Sequence, residues 1–227
     1  VAALAHSILE DRFFWRALSD PDVRTNLFSH TRWASNGIIS EPNCHPVNEL
    51  TVPSGSDREQ PREGSPRILA ALNGDVDNHI ELQARLARES GRTISPPITT
   101  DTKVIPVLVE SYFRETQDIR QAFCRAMQEC EGSIAVVMHS THEPDRTYLA
   151  LRGSGQSMFV GIGPHGYTFA SELYGVVEQT SRFLRMDGTT EREAGRPETA
   201  GQILVLDAKK LHELEGIEAW SFDGHRL

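Results

Sequence analysis

The sequence predicts an α+β protein in which sheets and helices stack in layers, and three observations predict it. Leu27-Phe28 and the apolar run RILAAL (67–72) read as strands. Three stretches with apolar residues at helical spacing follow, between residues 78 and 130. Beyond Gly132 the pattern changes to short apolar runs separated by turn residues. Strands, then paired helices, then many strands is the order of an α+β chain with layered elements.

Residues 2–19 carry Leu4, Ile8, Leu9, Phe13, Trp15 and Leu18 close to helical spacing, up to a break at Asp20-Pro21-Asp22. Leu27-Phe28 is a short strand leading into HTRWASNG (30–37). Residues 48–66, rich in Pro, Gly, Ser and charge, read as an exposed loop before the RILAAL strand. Residues 78–89 and 101–113 are amphipathic helices. The second has Thr100 or Asp101 as N-cap and Val104, Ile105, Leu108, Val109 and Tyr112 on one face. Residues 119–130 form a third, with Phe123, Ala126 and Met127 inward. SIAVVMH, RTYLALR, MFVGIG and YTFAS then follow one another as in a β-meander. After a helical SELYGVVEQ, RFLRM and QILVL continue the strands, and LHELEG with EAWSFDG forms a closing hairpin.

At 227 residues the chain is one large domain or two small ones, at roughly 100–200 residues per domain. Hydrophobic residues at 38% and charged residues at 24% lie near the globular average, which excludes collagen-like, low-complexity and fully disordered classes. A net charge of −9 repels phosphate backbones and anionic lipid, so neither nucleic acid nor a membrane surface is an expected partner. Cys44, Cys124 and Cys130 are too few and too irregular for a disulfide framework, which fits a reducing, cytoplasmic compartment. No apolar run approaches the roughly 18 residues that span a bilayer, and the first residues lack a signal-peptide pattern. The chain begins at Val1, within a helical pattern, and ends within a strand-and-turn pattern, so a piece of a longer polypeptide is expected.

GIGPHG (161–166) has the spacing Gly-x-Gly-x-x-Gly, but Pro164 interrupts it and a strand, not a helix, follows, so a hairpin turn is expected. His139 and His142, or Cys44 with His45, lack the matching partner pair that a zinc site needs. Cys124 and Cys130, six apart on a helix, are expected to point to different sides. GSGQS (153–157) has the wrong order for a nucleophile elbow.

HTRWASNG (30–37), LNG (72–74) and TDTK (100–103) are more informative together. A small amino-acid amide needs a planar guanidinium for its α-carboxylate, a carboxylate for its α-ammonium, and N–H donors for the oxyanion formed when its amide is attacked. Arg32, Asp101 and Asn73-Gly74 supply those three types, and glycine at 74 lets a backbone N–H approach closely. Simpler readings compete: Asn-Gly is a common turn, Asp101 a helix cap, and Arg32 beside Trp33 a surface stacking pair.

These segments, in this order, resemble the class II glutamine amidotransferase domain of the N-terminal-nucleophile (Ntn) hydrolases, closest to the glutaminase half of the glutamine–fructose-6-phosphate aminotransferases. The matching text is HTRWASNGIISEPNCHP, LNGDVDNHIEL and TTDTKVI, followed by CEGSIAVVM, RGSGQSMFVGIG and FASELYGV. The resemblance implies a four-layer αββα sandwich, here incomplete at its N-terminus. One amidotransferase domain would occupy residues 1–227, with sugar-isomerase domains beyond Leu227. It implies that Arg32 binds the glutamine α-carboxylate, that Ser35 adds a hydroxyl hydrogen bond, and that Trp33 and the residues to about Ser40 close over glutamine. Asn73 and Gly74 would form the oxyanion hole and Asp101 would bind the α-amino group.

Neither a metal nor an organic cofactor is implied. L-glutamine is the implied substrate, and ammonia would pass to a sugar-phosphate isomerase module of the same polypeptide, in a homodimer. The family nucleophile is a Cys at the mature N-terminus, whose α-amine is the base. No cysteine here stands in that context, so it is expected upstream of Val1. Asn36, Leu72 and Lys103 replace the His, His and Glu of the family pattern. Two alternatives stay open: a catalytically silent glutamine-sensing or assembly domain, and another type II amidotransferase of the phosphoribosylpyrophosphate or asparagine synthetase kind.

Overall fold

Two antiparallel sheets lie face to face in the computed structural model, which describes residues 2–23, 25–32, 36–52, 66–211 and 214–227. The larger sheet has the order β1 (Val47–Asn48), β2 (Ile68–Gly74), β3 (Ile134–Ser140), β4 (Arg146–Arg152), β8 (Gln202–Asp207) and β9 (Ile217–Ser221). The smaller has the order β6 (Tyr167–Ala170), β5 (Phe159–Ile162) and β7 (Phe183–Arg185). Because successive side chains in a strand point to opposite faces, the larger sheet feeds two cores. Ile68, Leu72, Val136, Met138 and Tyr148 pack against α3 (His79–Ser90), α4 (Val104–Thr116) and α5 (Ile119–Glu129). Ala71, Val137, Leu149, Leu151 and Leu204 meet Met158, Val160 and Met186 beneath the smaller sheet. Burial on both faces is why β2, β3 and β4 read as unbroken apolar runs.

The short helix α6 (Tyr174–Val177) covers the outer face of the smaller sheet. It can do so because a Cβ at Gly161 would lie 2.6 Å from Val176 Cγ1. Helices, sheet, sheet and helix stack as the four-layer αββα sandwich that the resemblance implied.

Several local expectations are corrected. Residues 2–19 form two helices, α1 (Ala2–Glu10) and α2 (Arg12–Leu18), because the Asp11 side chain accepts from the backbone N–H of Phe13 at 3.0 Å and of Phe14 at 2.9 Å and so starts a new helix. Leu27-Phe28 joins no ladder with the described strands. The helix expected from Asp101 begins as a 3-10 turn, Asp101–Lys103, before α4. The meander is broken after β4. Gly153, with φ +86, turns the chain out of the larger sheet, and β5, β6 and β7 form the second one. At the C-terminal end, β9 pairs with β8, and Leu214–Gly216 is a 3-10 turn, not a hairpin strand. Cys124 and Cys130 share the helix-side core, since Cys130 lies past the end of α5.

Candidate functional site

The exit of β2 organises the site. Strand alternation buries Leu72 in the helix-side core and turns Asn73 to the opposite, exposed face. The chain then bends at Gly74, φ +123, where a Cβ would sit 1.9 Å from the Ser133 carbonyl oxygen. No other residue fits that crossing. The next amide, of Asp75, donates to the same carbonyl at 3.0 Å.

Asp101 approaches from the start of the 3-10 turn that leads into α4. Its Oδ2 accepts from the Val76 amide at 2.7 Å and its Oδ1 from the Thr102 amide at 2.8 Å, and it is 4% exposed. Two backbone donors therefore fix the carboxylate beside the β2 exit, the Thr100 and Thr102 hydroxyls lie 3.4 Å from Oδ1, and Oδ2 keeps lone-pair capacity to spare. Arg32 comes from the third direction. Its guanidinium donates to the Asn36 carbonyl and, at 3.2 Å, to the Ile38 carbonyl, which leaves further N–H donors on the fork.

Arg32, Asn73, Gly74 and Asp101 converge on one cavity of about 260 Å³. Trp33 and Ser35, the other two expected substrate contacts, lie outside the described residues. His30, Thr31, Asn36, Leu72, Asp75, Thr100 and Gln156 complete the described lining, and His45 lies among them. Of these, His30, His45, Asp75 and Gln156 all lie within the text that carries the resemblance, but the sequence assigned none of the four a role. Gln156 reaches the cavity because the 153–157 turn passes over Gly74, its Cγ lying 3.4 Å from where a Gly74 Cβ would be.

The His30 and His45 rings pack 4.6 Å apart, and His45 Nε2 lies 3.3 Å from Thr100 Oγ1. Burial, the neighbouring His30 ring and the Arg32 charge lower His45 to about 4; burial and Arg32 lower His30 as well. The Leu72 carbonyl pulls both in the other direction, but neither Nδ1 reaches a partner at ordinary hydrogen-bond geometry. Both rings are therefore neutral at pH 7, and the net cation of this corner is Arg32.

A larger groove of about 500 Å³ adjoins the site and shares Asn73 with it. It runs between residues 27–31 and β6, the edge strand of the smaller sheet. None of the three cysteines lines either space. Burial pushes Cys124 up to about 11 and Cys130 up to about 12, so both are inert thiols at neutral pH. Cys44 is exposed, with Sγ 3.5 Å from the Ser40 carbonyl. GIGPHG is the β5–β6 hairpin turn, closed by the Gly163 amide donating to the Gly166 carbonyl at 2.9 Å. Among the described residues no group of three or more His, Cys, Asp or Glu is placed to hold a metal ion, and no helix is long and apolar enough to cross a membrane.

Comparison with known proteins points the same way. A family profile described as a glutamine amidotransferase domain matches residues 48–178, which include Asn73, Gly74 and Asp101. The glutamine–fructose-6-phosphate aminotransferase (isomerizing) of Methanothermobacter thermautotrophicus is 28% identical over 189 residues, covering 83% of this chain and 27% of its own. That of Pyrococcus horikoshii is 30% identical over 194 residues, covering 86% and 29%. The chain thus spans less than a third of these relatives' length. Among solved structures, the glutamine phosphoribosylpyrophosphate amidotransferase of B. subtilis superposes with a TM-score of 0.57 at 18% identity, over 85% of this chain and 34% of that one. The fold, the matched region and the relatives agree: the chain belongs to the glutamine amidotransferase domain family.

Proposed function

We propose that this chain is the glutaminase part of a longer enzyme, hydrolysing L-glutamine to glutamate and ammonia. The ammonia passes to a sugar-phosphate aminotransferase and isomerase module of the same polypeptide. The observation that carries this reading is the meeting of a guanidinium, a fixed carboxylate and an Asn-Gly pair on one cavity of about 260 Å³. Arg32 takes the α-carboxylate through its remaining donors, and Asp101 takes the α-ammonium on its remaining lone pairs. Those two contacts point the side-chain amide towards Asn73 and Gly74.

The nucleophile is a cysteine from a segment outside residues 1–227, since none of Cys44, Cys124 and Cys130 faces the cavity. The groove beside β6, which opens onto Asn73, is the entry for that segment. Its thiol loses a proton to the terminal amine, and sulfur attacks the amide carbon. The carbonyl electron pair moves onto oxygen and is stabilised by the Asn73 side chain and the Gly74 amide. Collapse of this intermediate breaks the C–N bond, the amine returns its proton to the leaving ammonia, and water then hydrolyses the thioester to glutamate.

Steady-state glutaminase kinetics of the natural full-length protein test the roles. Arg32→Ala should raise KM for glutamine about tenfold or more, the scale of lost charge-assisted hydrogen bonds. Asn73→Ala should lower kcat about a hundredfold, the scale of one lost oxyanion donor. Unchanged constants in either variant refute that residue's role. A second reading, a silent glutamine-binding domain, draws on the same cysteine positions. It requires that glutamine bind without ammonia release and that a diazoketone analogue of glutamine leave the protein mass unchanged.

A further inference from the structure

Among the described residues of the loop beside the cavity, 36–39 are fastened chiefly by hydrogen bonds. Ile38 is 61% and Ile39 89% exposed, so apolar burial does not fasten it. Three hydrogen-bonding arrangements do. Arg32 donates to the Asn36 and Ile38 carbonyls. The Ile38 amide donates to Thr99 Oγ1 at 3.0 Å. Asn36 Nδ2 donates to Asp75 Oδ1 at 2.8 Å. The third bond differs from the others, because it joins two residues that both line the cavity, one on the loop and the other directly after Gly74. Asp75 is itself held by its backbone N–H, which donates a hydrogen bond to the Ser133 carbonyl at 3.0 Å. Gly37, φ +79, sits where a Cβ would lie 2.7 Å from the Thr99 carbonyl oxygen, so the loop is pressed onto that wall.

We propose that Asn36 and Asp75 form a latch that holds residues 36–38, and through the Asn36 and Ile38 carbonyls the Arg32 guanidinium, in the binding position before substrate arrives. The two are positioning residues. They set the affinity for the amino-acid end of the substrate and leave the chemistry at Asn73 and Gly74 untouched. The latch anchors the carboxylate-binding side to Asp75, which its own backbone N–H, donating to the Ser133 carbonyl, keeps in place when the latch opens. This inference rests on the glutaminase reading only for the identity of the ligand.

Three variants of the natural full-length protein test it: Asn36→Asp, Asp75→Asn and the double exchange. Asn36→Asp sets two carboxylates against each other and opens the latch. Asp75→Asn keeps an acceptor and weakens it. The double exchange restores one donor facing one acceptor with the polarity reversed. Two readouts are needed, hydrogen exchange of the Ile38 amide without ligand and the KM and kcat for L-glutamine. Asn36→Asp should speed Ile38 exchange and raise KM, each about tenfold, with kcat within about threefold of the parent. The double exchange should return both to within about threefold of the parent. Unchanged Ile38 exchange in Asn36→Asp, faster exchange with an unchanged KM, or a double exchange that restores neither, would overturn the latch. If the parent protein does not use glutamine, the glutaminase reading fails separately, and the Ile38 exchange alone decides the latch.

Discussion

His45 illustrates how single residues here are defined by what surrounds them. Its ring is packed on His30, within reach of Thr100 and near the Arg32 charge, and the folded protein holds its pKa at about 4 against 6.5 in the unfolded chain. On acidification the unfolded chain therefore takes up this proton first. The contribution of the neutral ring to stability is complete above about pH 6.5, is lost progressively down to about pH 4, and changes no further below that. The loss is on the order of 1–2 kcal/mol once partial exposure is discounted. Denaturant unfolding of parent and His45→Gln between pH 7 and pH 4 checks this. The parent should lose more stability than the variant over that range, and parallel curves would contradict it. Arg32, Asn73, Gly74 and Asp101 were legible as residues because each chemical type answers one end of an amino-acid amide. Asp75 and Gln156 were not, because they meet the cavity only where residues 133 and 153–157 cross the β2 exit.

Between elements, a buried ion pair ties the segment carrying His45 to the helical layer. Arg92, just past the αL cap Gly91 of α3, donates from Nη1 to Glu110 Oε2 of α4 at 2.5 Å, with side chains 3% and 2% exposed. Its Nη2 donates to the Glu49 carbonyl after β1 at 2.5 Å. Glu49 in turn accepts from the Ile68 amide at 2.9 Å and so fixes the start of β2. Removing one partner leaves a buried charge uncompensated, and Glu110→Ala should cost about 3–5 kcal/mol. Equilibrium unfolding measures it, and a loss under 1 kcal/mol would mean that Arg92 finds another partner. Helices α3 to α5 were legible because each carries apolar residues at helical spacing that pack into one core. The break at Asp11 was not, since periodicity alone does not separate a helix continuing through an aspartate from one restarted by it.

At the scale of the molecule, the layered α+β class followed from the order of elements, but the division into two sheets did not. A strand's partners are chosen by contacts far apart in sequence, and MFVGIG and YTFAS pack across Leu149 and Leu204 instead of extending their sheet. The same stacking places the cavity at one end of the sandwich, where the β2 exit, the Asp101 turn and the Arg32 segment come together. It also leaves the groove between residues 27–31 and β6 open onto Asn73.

The pocket's central claim is that it grips both ends of one amino acid. A crystal structure of the natural full-length protein soaked with L-glutamate, the product of the proposed hydrolysis, tests it most directly. The account places the α-carboxylate within hydrogen-bond distance of the Arg32 guanidinium, the α-ammonium on Asp101, and the side-chain carboxylate beside Asn73 and the Gly74 amide. Glutamate bound with its α-groups away from Arg32 and Asp101, or in a different cavity, would contradict it.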